Sequence, residues 1–146
     1  MDAIKKWPEP IVGLYVINKD SIVMVKSPKW KGWRVPGGHV EYGEHIFDAA
    51  KREAKEELGI NVKPLGVIAV AEAIMPKDSN MNKHFIFFEM ICTASKKKLK
   101  IEKRELSEYR WARLSEAKDL FHSRLSRDVV RKYLRNKKEF ISLETA

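Results

Sequence analysis

Residues 32–60 read GWRVPGGHVEYGEHIFDAAKREAKEELGI, and the second half of this stretch governs the reading of the rest. From His45 to Leu58 there is no glycine or proline, and Gly59 stands where a helix takes a left-handed cap, so a helix is expected over 45–58. With Glu53 set at 0°, Glu57 falls near ~40° and Glu56 near ~300°, so three carboxylates share an arc of roughly 100°. Ile46, Phe47, Ala50, Ala54 and Leu58 form an apolar face beside that arc, and Asp48, Lys51 and Lys55 fill the remaining side. Carboxylates at i, i+3 and i+4 repel one another. Arg52, one turn before Glu56, can neutralise one charge. A hard divalent cation would relieve the rest, because Mg²⁺ takes oxygen ligands from carboxylates and substrate phosphates. The preceding pair Gly37-Gly38 lets backbone approach a ligand closely and can turn a free carbonyl toward it. Glutamate-rich helices are more often ordinary solvated faces; the glycine pair, Arg52 and the further acid Glu44 set this one apart.

On either side of this stretch the chain alternates between apolar, β-branched runs and turns. Ile11–Ile17 and Ile22–Val25 read as strands joined by the turn Asn18-Lys19-Asp20-Ser21. Trp33-Arg34-Val35 is a short extended piece ended by Pro36-Gly37-Gly38. Val62–Ile74 is strand again, with a break expected at Pro64 or Gly66. Met75–Lys83 is a polar loop, Lys83–Thr93 and Tyr109–Leu114 are strands, Ser115–Phe121 is a short helix, and Ser126–Phe140 is an amphipathic helix. Helices and strands do not alternate regularly, so the fold class is α/β with a mixed sheet and flanking helices.

The chain has 146 residues and suits a single domain over 1–146. It is 44% hydrophobic, which fits a packed core rather than disorder. No apolar run approaches the roughly 18–20 residues that span a bilayer, so no membrane partner is expected. Residues 1–8 lack the apolar core of a signal peptide, which makes a cytoplasmic protein the expectation. Cys92 is the sole cysteine, excluding an internal disulfide, and its apolar setting predicts a buried, inert thiol. The net charge of +9 favours anionic partners, from phosphates to RNA, without choosing among them.

The segment from Gly38 to Ile60 resembles the Nudix box, Gly-x5-Glu-x7-Arg-Glu-U-x-Glu-Glu-x-Gly-U, where U is aliphatic. Gly38, Glu44, Arg52, Glu53, Glu56, Glu57 and Gly59 fill the fixed positions, and Ala54 and Ile60 the aliphatic ones. Seven fixed residues at ordinary background frequencies coincide by chance on the order of once in a hundred million starts. WRVPGG before the box and EYRW at 108–111 also look like family elements, so the resemblance extends over most of the chain.

The resemblance, to MutT-like Nudix hydrolases, implies an α/β/α sandwich with a catalytic loop–helix–loop. It implies Mg²⁺ or Mn²⁺, two or more ions during turnover, on Glu53, Glu56, Glu57 and the Gly37 carbonyl. Arg52 resembles the arginine that orients these carboxylates, and Glu44 the glutamate that braces the loop. The implied reaction is attack of water on phosphorus in a diphosphate bridge of a nucleotide derivative: a nucleotide sugar, ADP-ribose or a modified nucleoside triphosphate. Glu53 is the first candidate for the general base, with Glu105 and Glu108 as carboxylates outside the box. Arg34, His39, Trp33 and Phe85 are the candidate substrate contacts, and Trp7, Trp30, Tyr15 and Phe87 are further aromatics able to stack on a base. Substrate choice is expected to reside in Met75–Lys83 and Lys96–Glu108. Pro76 stands near the spacing associated with ADP-ribose-cleaving members. Two other readings compete: a pyrophosphohydrolase of RNA 5′ ends, and a non-catalytic nucleotide-sensing Nudix domain, against which the intact box argues. Family members are often dimeric, which leaves a homodimer open.

Overall fold

The computed structural model describes residues 7–75 and 83–146. In chain order its elements are β1 (Glu9–Asn18), β2 (Ser21–Lys26), β3 (Gly37–His39), α1 (Ile46–Leu58), β4 (Lys63–Ile74), β5 (His84–Thr93), β6 (Glu108–Arg113), α2 (Leu114–Leu120) and α3 (Arg124–Arg135). The strands lie in the order β4-β5-β1-β2-β6, with β3 alongside the first half of β1. β1 and β5 run parallel and the other pairs antiparallel, so the sheet is mixed.

Alternation along β1 divides the interior into two cores. Val12, Leu14 and Val16, with Val23, Val25, Met90 and Cys92, pack under Ala49, Ala50, Ala54 and Leu58 of α1. Tyr15, Ile17, Ile22, Met24 and Ile91 face the opposite way, against Ala117 of α2, Phe121, and Val129, Val130 and Tyr133 of α3. The result is the expected three-layer α/β/α arrangement. Cys92 is fully buried, and desolvation pushes its thiol up to about 12, which fits an inert core residue.

The elements differ from the sequence reading in three places. β4 continues through Pro64 and Gly66, and the expected break becomes two register shifts against β5. Proline is tolerated there because β4 is the outermost strand of the sheet. Gly37–His39 does not merely end an extended piece but pairs with Ile11–Gly13 as a strand. α3 stops at Arg135, five residues short of expectation, because Phe140 and Ile141 cover β4. A Cβ at Gly66 would lie 2.6 Å from the Phe140 ring, and the Ile141 N–H donates to the Val67 carbonyl at 2.7 Å. Among the described residues, no helix is long and apolar enough to cross a membrane. Pro76 lies outside the described residues.

Candidate active site

Three alanines on the inner side of α1, Ala49, Ala50 and Ala54, let the helix lie close to the sheet. Gly59 ends it in the left-handed conformation at φ 68°, with its N–H bonded to the Lys55 carbonyl at 3.1 Å. Close packing carries Glu53 down with the alanines, to 9% exposure. Its carboxylate rests on the backbone of Gly38: a Cβ there would lie 2.3 Å from Oε1. One turn later Glu57 accepts the Gly37 N–H at 3.1 Å. Both glycines of β3 thus meet a carboxylate from α1, and any side chain at Gly38 would displace one.

Arg52 organises the acids. Its Nε and Nη2 donate to the two oxygens of Glu44 at 2.8 and 3.0 Å. Nη1 donates to Glu53 at 3.0 Å and Glu56 at 3.2 Å, and Nη2 also reaches the His39 carbonyl at 2.9 Å. Glu44 further accepts the Glu41 N–H, and its bonds with Arg52 hold its carboxyl below the ordinary range. One guanidinium therefore ties the loop after β3 to the acidic face of α1.

A single guanidinium does not balance this cluster. Burial raises Glu53 and pushes Glu57 up to about 8; the Gly37 hydrogen bond opposes the shift of Glu57, and the charges of Glu53, Glu105 and Glu56 add to it. Desolvated carboxylates that repel one another call for further positive charge, and oxygen donors of this kind suit a hard divalent ion. Among the described residues, no three acidic, histidine or cysteine side chains already converge as a finished ligand set. Arg52 and the Gly37 N–H hold the carboxylates where they are.

Two adjoining clefts meet at this cluster. The polar one is walled by Glu41, Arg52, Glu53, Glu56, Glu102, Arg104 and Glu105. The other, about 320 Å³, is lined mainly by apolar residues, including Ile11, Phe85, Phe87, Leu106 and Leu125, with Arg34 at its side. Trp30, Gly37, Gly38, His39 and Glu57 belong to both. Trp30 Nε1 is buried without a hydrogen-bond partner, and the Arg34 guanidinium lies 5.5 Å from its ring. The loop behind the polar cleft is fastened to the end of α1: Lys100 N–H donates to the Leu58 carbonyl at 3.0 Å and Glu102 N–H to the Glu57 carbonyl at 2.9 Å.

The sequence candidates distribute unevenly around these clefts. Glu44, Arg52, Glu53, Glu56, Glu57 and Gly37 come together. Glu105 lines the polar cleft and pairs with Lys29 at 3.1 Å, whereas Glu108 is exposed at the start of β6 and lines neither cleft. Arg34, Phe85 and Phe87 line the apolar cleft. His39 lines both, meets Glu9 at 3.1 Å and sets its ring edge-on to Phe85. Trp33 lies elsewhere: it packs against the α2/α3 core with Lys26 and Arg110 over its ring. Tyr15 is a core residue rather than an open stacking surface. Glu89 was not among the candidates, yet it lines the apolar cleft while buried. Its signal was a lone acid inside the apolar run FIFFEMIC at 85–92.

The family model described as NUDIX domain matches residues 7–133. The chain is 36% identical over 66 residues to the 8-oxo-dGDP phosphatase NUDT18 of Danio rerio, covering 42% of this chain and 20% of the relative. It is 32% identical over 59 residues to the RNA pyrophosphohydrolase of Ruthia magnifica subsp. Calyptogena magnifica, covering 40% of this chain and 33% of the relative. The chain thus spans between a fifth and a third of the length of these curated relatives. In three dimensions it is similar to the crystal structure of a MutT NUDIX hydrolase from Burkholderia pseudomallei, at TM-score 0.72 and 22% identity, over 87% of this chain and 98% of that one.

Proposed function

The chain belongs to the NUDIX family, and from that premise we propose that it is a Mg²⁺- or Mn²⁺-dependent pyrophosphohydrolase that cleaves the diphosphate linkage of a nucleotide derivative. The observation that carries this reading is the pair of desolvated carboxylates, Glu53 and Glu57, seated on Gly38 and Gly37 at the junction of a polar and an apolar cleft. A nucleotide has the matching shape, with an anionic diphosphate at one end and a flat, largely apolar base at the other. The names of the two relatives, a phosphatase of 8-oxo-dGDP and a pyrophosphohydrolase of RNA, support a nucleotide-type substrate.

Glu53, Glu56, Glu57 and the Gly37 carbonyl would hold the ions. Bound there, divalent ions polarise the phosphoryl oxygens, lower the pKa of a water ligand and neutralise the departing phosphate. The protein's own part is positioning and electrostatics, which phosphoryl transfer chiefly demands. Arg52 keeps Glu53 and Glu56 aimed at the cleft, and Glu44 keeps Arg52 in place. Water attacks one phosphorus of the bridge, the P–O bond to the bridging oxygen breaks, and the leaving phosphate takes the electron pair. For the acceptor of the water's proton we take Glu105 in preference to Glu53, the first candidate from the sequence, because it lines the same cleft, is exposed, and stands outside the Arg52 network that engages Glu53. The unpartnered Trp30 N–H and the Arg34 guanidinium serve as donors to substrate oxygens between the clefts, and Phe85 and Phe87 offer stacking surfaces.

The test is one hydrolysis panel with Mg²⁺, set against Glu57→Gln. It compares ADP-ribose, GDP-mannose, UDP-glucose, a dinucleoside polyphosphate, 8-oxo-dGTP, NADH and triphosphorylated RNA. The expected result is turnover of at least one compound by the wild type and of none by the variant. Equal turnover by both proteins would overturn the metal assignment. The RNA arm answers the net charge of +9: steep loss of that activity with salt would identify RNA as the anionic partner.

A further inference from the structure

Glu89 is an acid the chemistry above does not use. It sits on β5 inside an apolar run, is 3% exposed, and lines the apolar cleft. Its partner in the parallel register is Gly13, and a Cβ there would lie 2.9 Å from both carboxylate oxygens. The fold therefore leaves room for this carboxyl by omitting a side chain opposite it.

One oxygen of Glu89 is committed. Tyr15 Oη is hydrogen-bonded to Oε2 on one side and to Ser126 Oγ, 3.0 Å away, on the other. No described residue donates to Oε1. The direction of the three-residue relay depends on the charge of Glu89 and on which oxygen holds its proton. With Glu89 ionised, Ser126 donates to Tyr15 and Tyr15 to Oε2. With Glu89 neutral and its proton on Oε2, that proton is given to Tyr15, and Tyr15 donates to Ser126. In the ionised form Oε1 is a free acceptor; a neutral carboxyl that carries its proton on Oε1, with Oε2 accepting from Tyr15, would present a donor instead, so the acceptor edge belongs to the ionised form.

An acceptor left over on a buried carboxyl, inside a cleft with aromatic walls, wants an N–H from whatever fills the cleft. The common bases differ at this point. Adenine and cytosine present an amino group beside a ring-nitrogen acceptor, and uracil an imino N–H between two carbonyls; each would bring a lone pair toward the carboxyl oxygens. Guanine alone offers imino and amino donors side by side. Resting on the reading of the clefts as a nucleotide site, we propose that Glu89 is the specificity-determining residue of the apolar cleft and selects a guanine-type base through the donors on its N1–N2 edge.

The experiment measures binding without catalysis. GMP, IMP, AMP and UMP are titrated into the intact protein by calorimetry in EDTA, for the wild type and for Glu89→Met. Methionine keeps the volume, removes the acceptor and leaves Tyr15 bonded to Ser126. The wild type should bind GMP at least tenfold more tightly than IMP, which lacks the 2-amino group, and than AMP or UMP, as expected of a matched base-edge contact. In Glu89→Met the four ligands should bind within about threefold of one another. The wild-type series needs no variant: equal affinities for GMP and AMP would overturn the assignment, as would a guanine preference retained by a folded Glu89→Met. Guanine preference in a protein that hydrolyses no anhydride would refute the catalytic reading and leave this one standing. Hydrolysis with no base preference would do the reverse.

Discussion

The carboxylate of Glu53 lies directly on the backbone of Gly38, so that a methyl group at that Cα would fall 2.3 Å from Oε1 and 2.6 Å from Oε2. Gly38→Ala must therefore push Glu53 aside by about an ångström, and displacements of that size cost on the order of a hundredfold in rate when positioning carries the catalysis. We expect kcat to fall by about that factor. Steady-state kinetics with thermal melting checks it: the melt should shift by a few degrees at most, and an unimpaired kcat would show that Glu53 is not held in place by this contact.

Glu57 is half-buried, accepts the Gly37 N–H as its one hydrogen bond among the described residues, and is held near 8 by desolvation and neighbouring carboxylates. Glu57→Gln keeps that hydrogen bond and removes a charge that the metal-free protein accommodates poorly. The variant should be as stable as the wild type without cation, lack the stabilisation by Mg²⁺ expected of the wild type, and turn over at least a thousandfold more slowly. Melting curves with and without Mg²⁺ decide it, and an undiminished Mg²⁺ shift in the variant would count against the ligand assignment.

Arg52 donates to Glu44, Glu53 and Glu56 at once. Arg52→Ala leaves three carboxylates facing one another with no counter-charge, two of them substantially buried. The expected loss is about 2 kcal/mol of unfolding free energy, read from urea titrations. Divalent ions should restore part of it by taking over the neutralisation. A loss below about 0.5 kcal/mol would place Arg52 among ordinary surface ion pairs.

Burial raises Glu89 above the usual carboxylate range, and the Tyr15 hydrogen bond only partly opposes this. An acid whose folded pKa is raised keeps its proton longer in the native state than in the unfolded chain. Native protein then binds more protons than unfolded protein as pH rises above the ordinary glutamate range, so its contribution to stability falls with pH until the folded-state carboxyl has ionised. Glu89→Met removes this term. Stability curves from pH 5 to pH 8 should therefore decline more steeply in the wild type than in the variant. Parallel curves would mean that Glu89 titrates as if exposed.

Helix α1 was legible because helical spacing alone groups its carboxylates, its apolar face and its cap. Gly59 ends the helix as its position suggested. The mixed sheet followed from strand runs that do not alternate with helices. The extent of α3 was not legible, since its apolar pattern continues into Phe140, and only packing on Gly66 shows that this ring belongs to β4. Trp33 and Phe85 were indistinguishable as aromatics. One is turned into the α2/α3 core and the other into the cleft, a choice made by strand parity and by helices distant in sequence. Glu89 was visible as an oddity in an apolar run, but its meaning depends on Gly13 and Tyr15, some 75 residues earlier in the chain.

The bonds from Lys100 and Glu102 to the carbonyls of Leu58 and Glu57 join the last turn of α1 to the loop that carries Glu105. Those carbonyls have no partner within the helix, so the loop supplies what the helix end lacks. Fraying of that turn and lifting of that loop are consequently expected to be coupled. Amide exchange at Lys100 and Glu102 should proceed with a common opening free energy, and each opening would disperse Glu57 and Glu105 together. If Glu57 and Glu105 act together as proposed, activity should follow the opening of this one unit rather than of helix and loop separately.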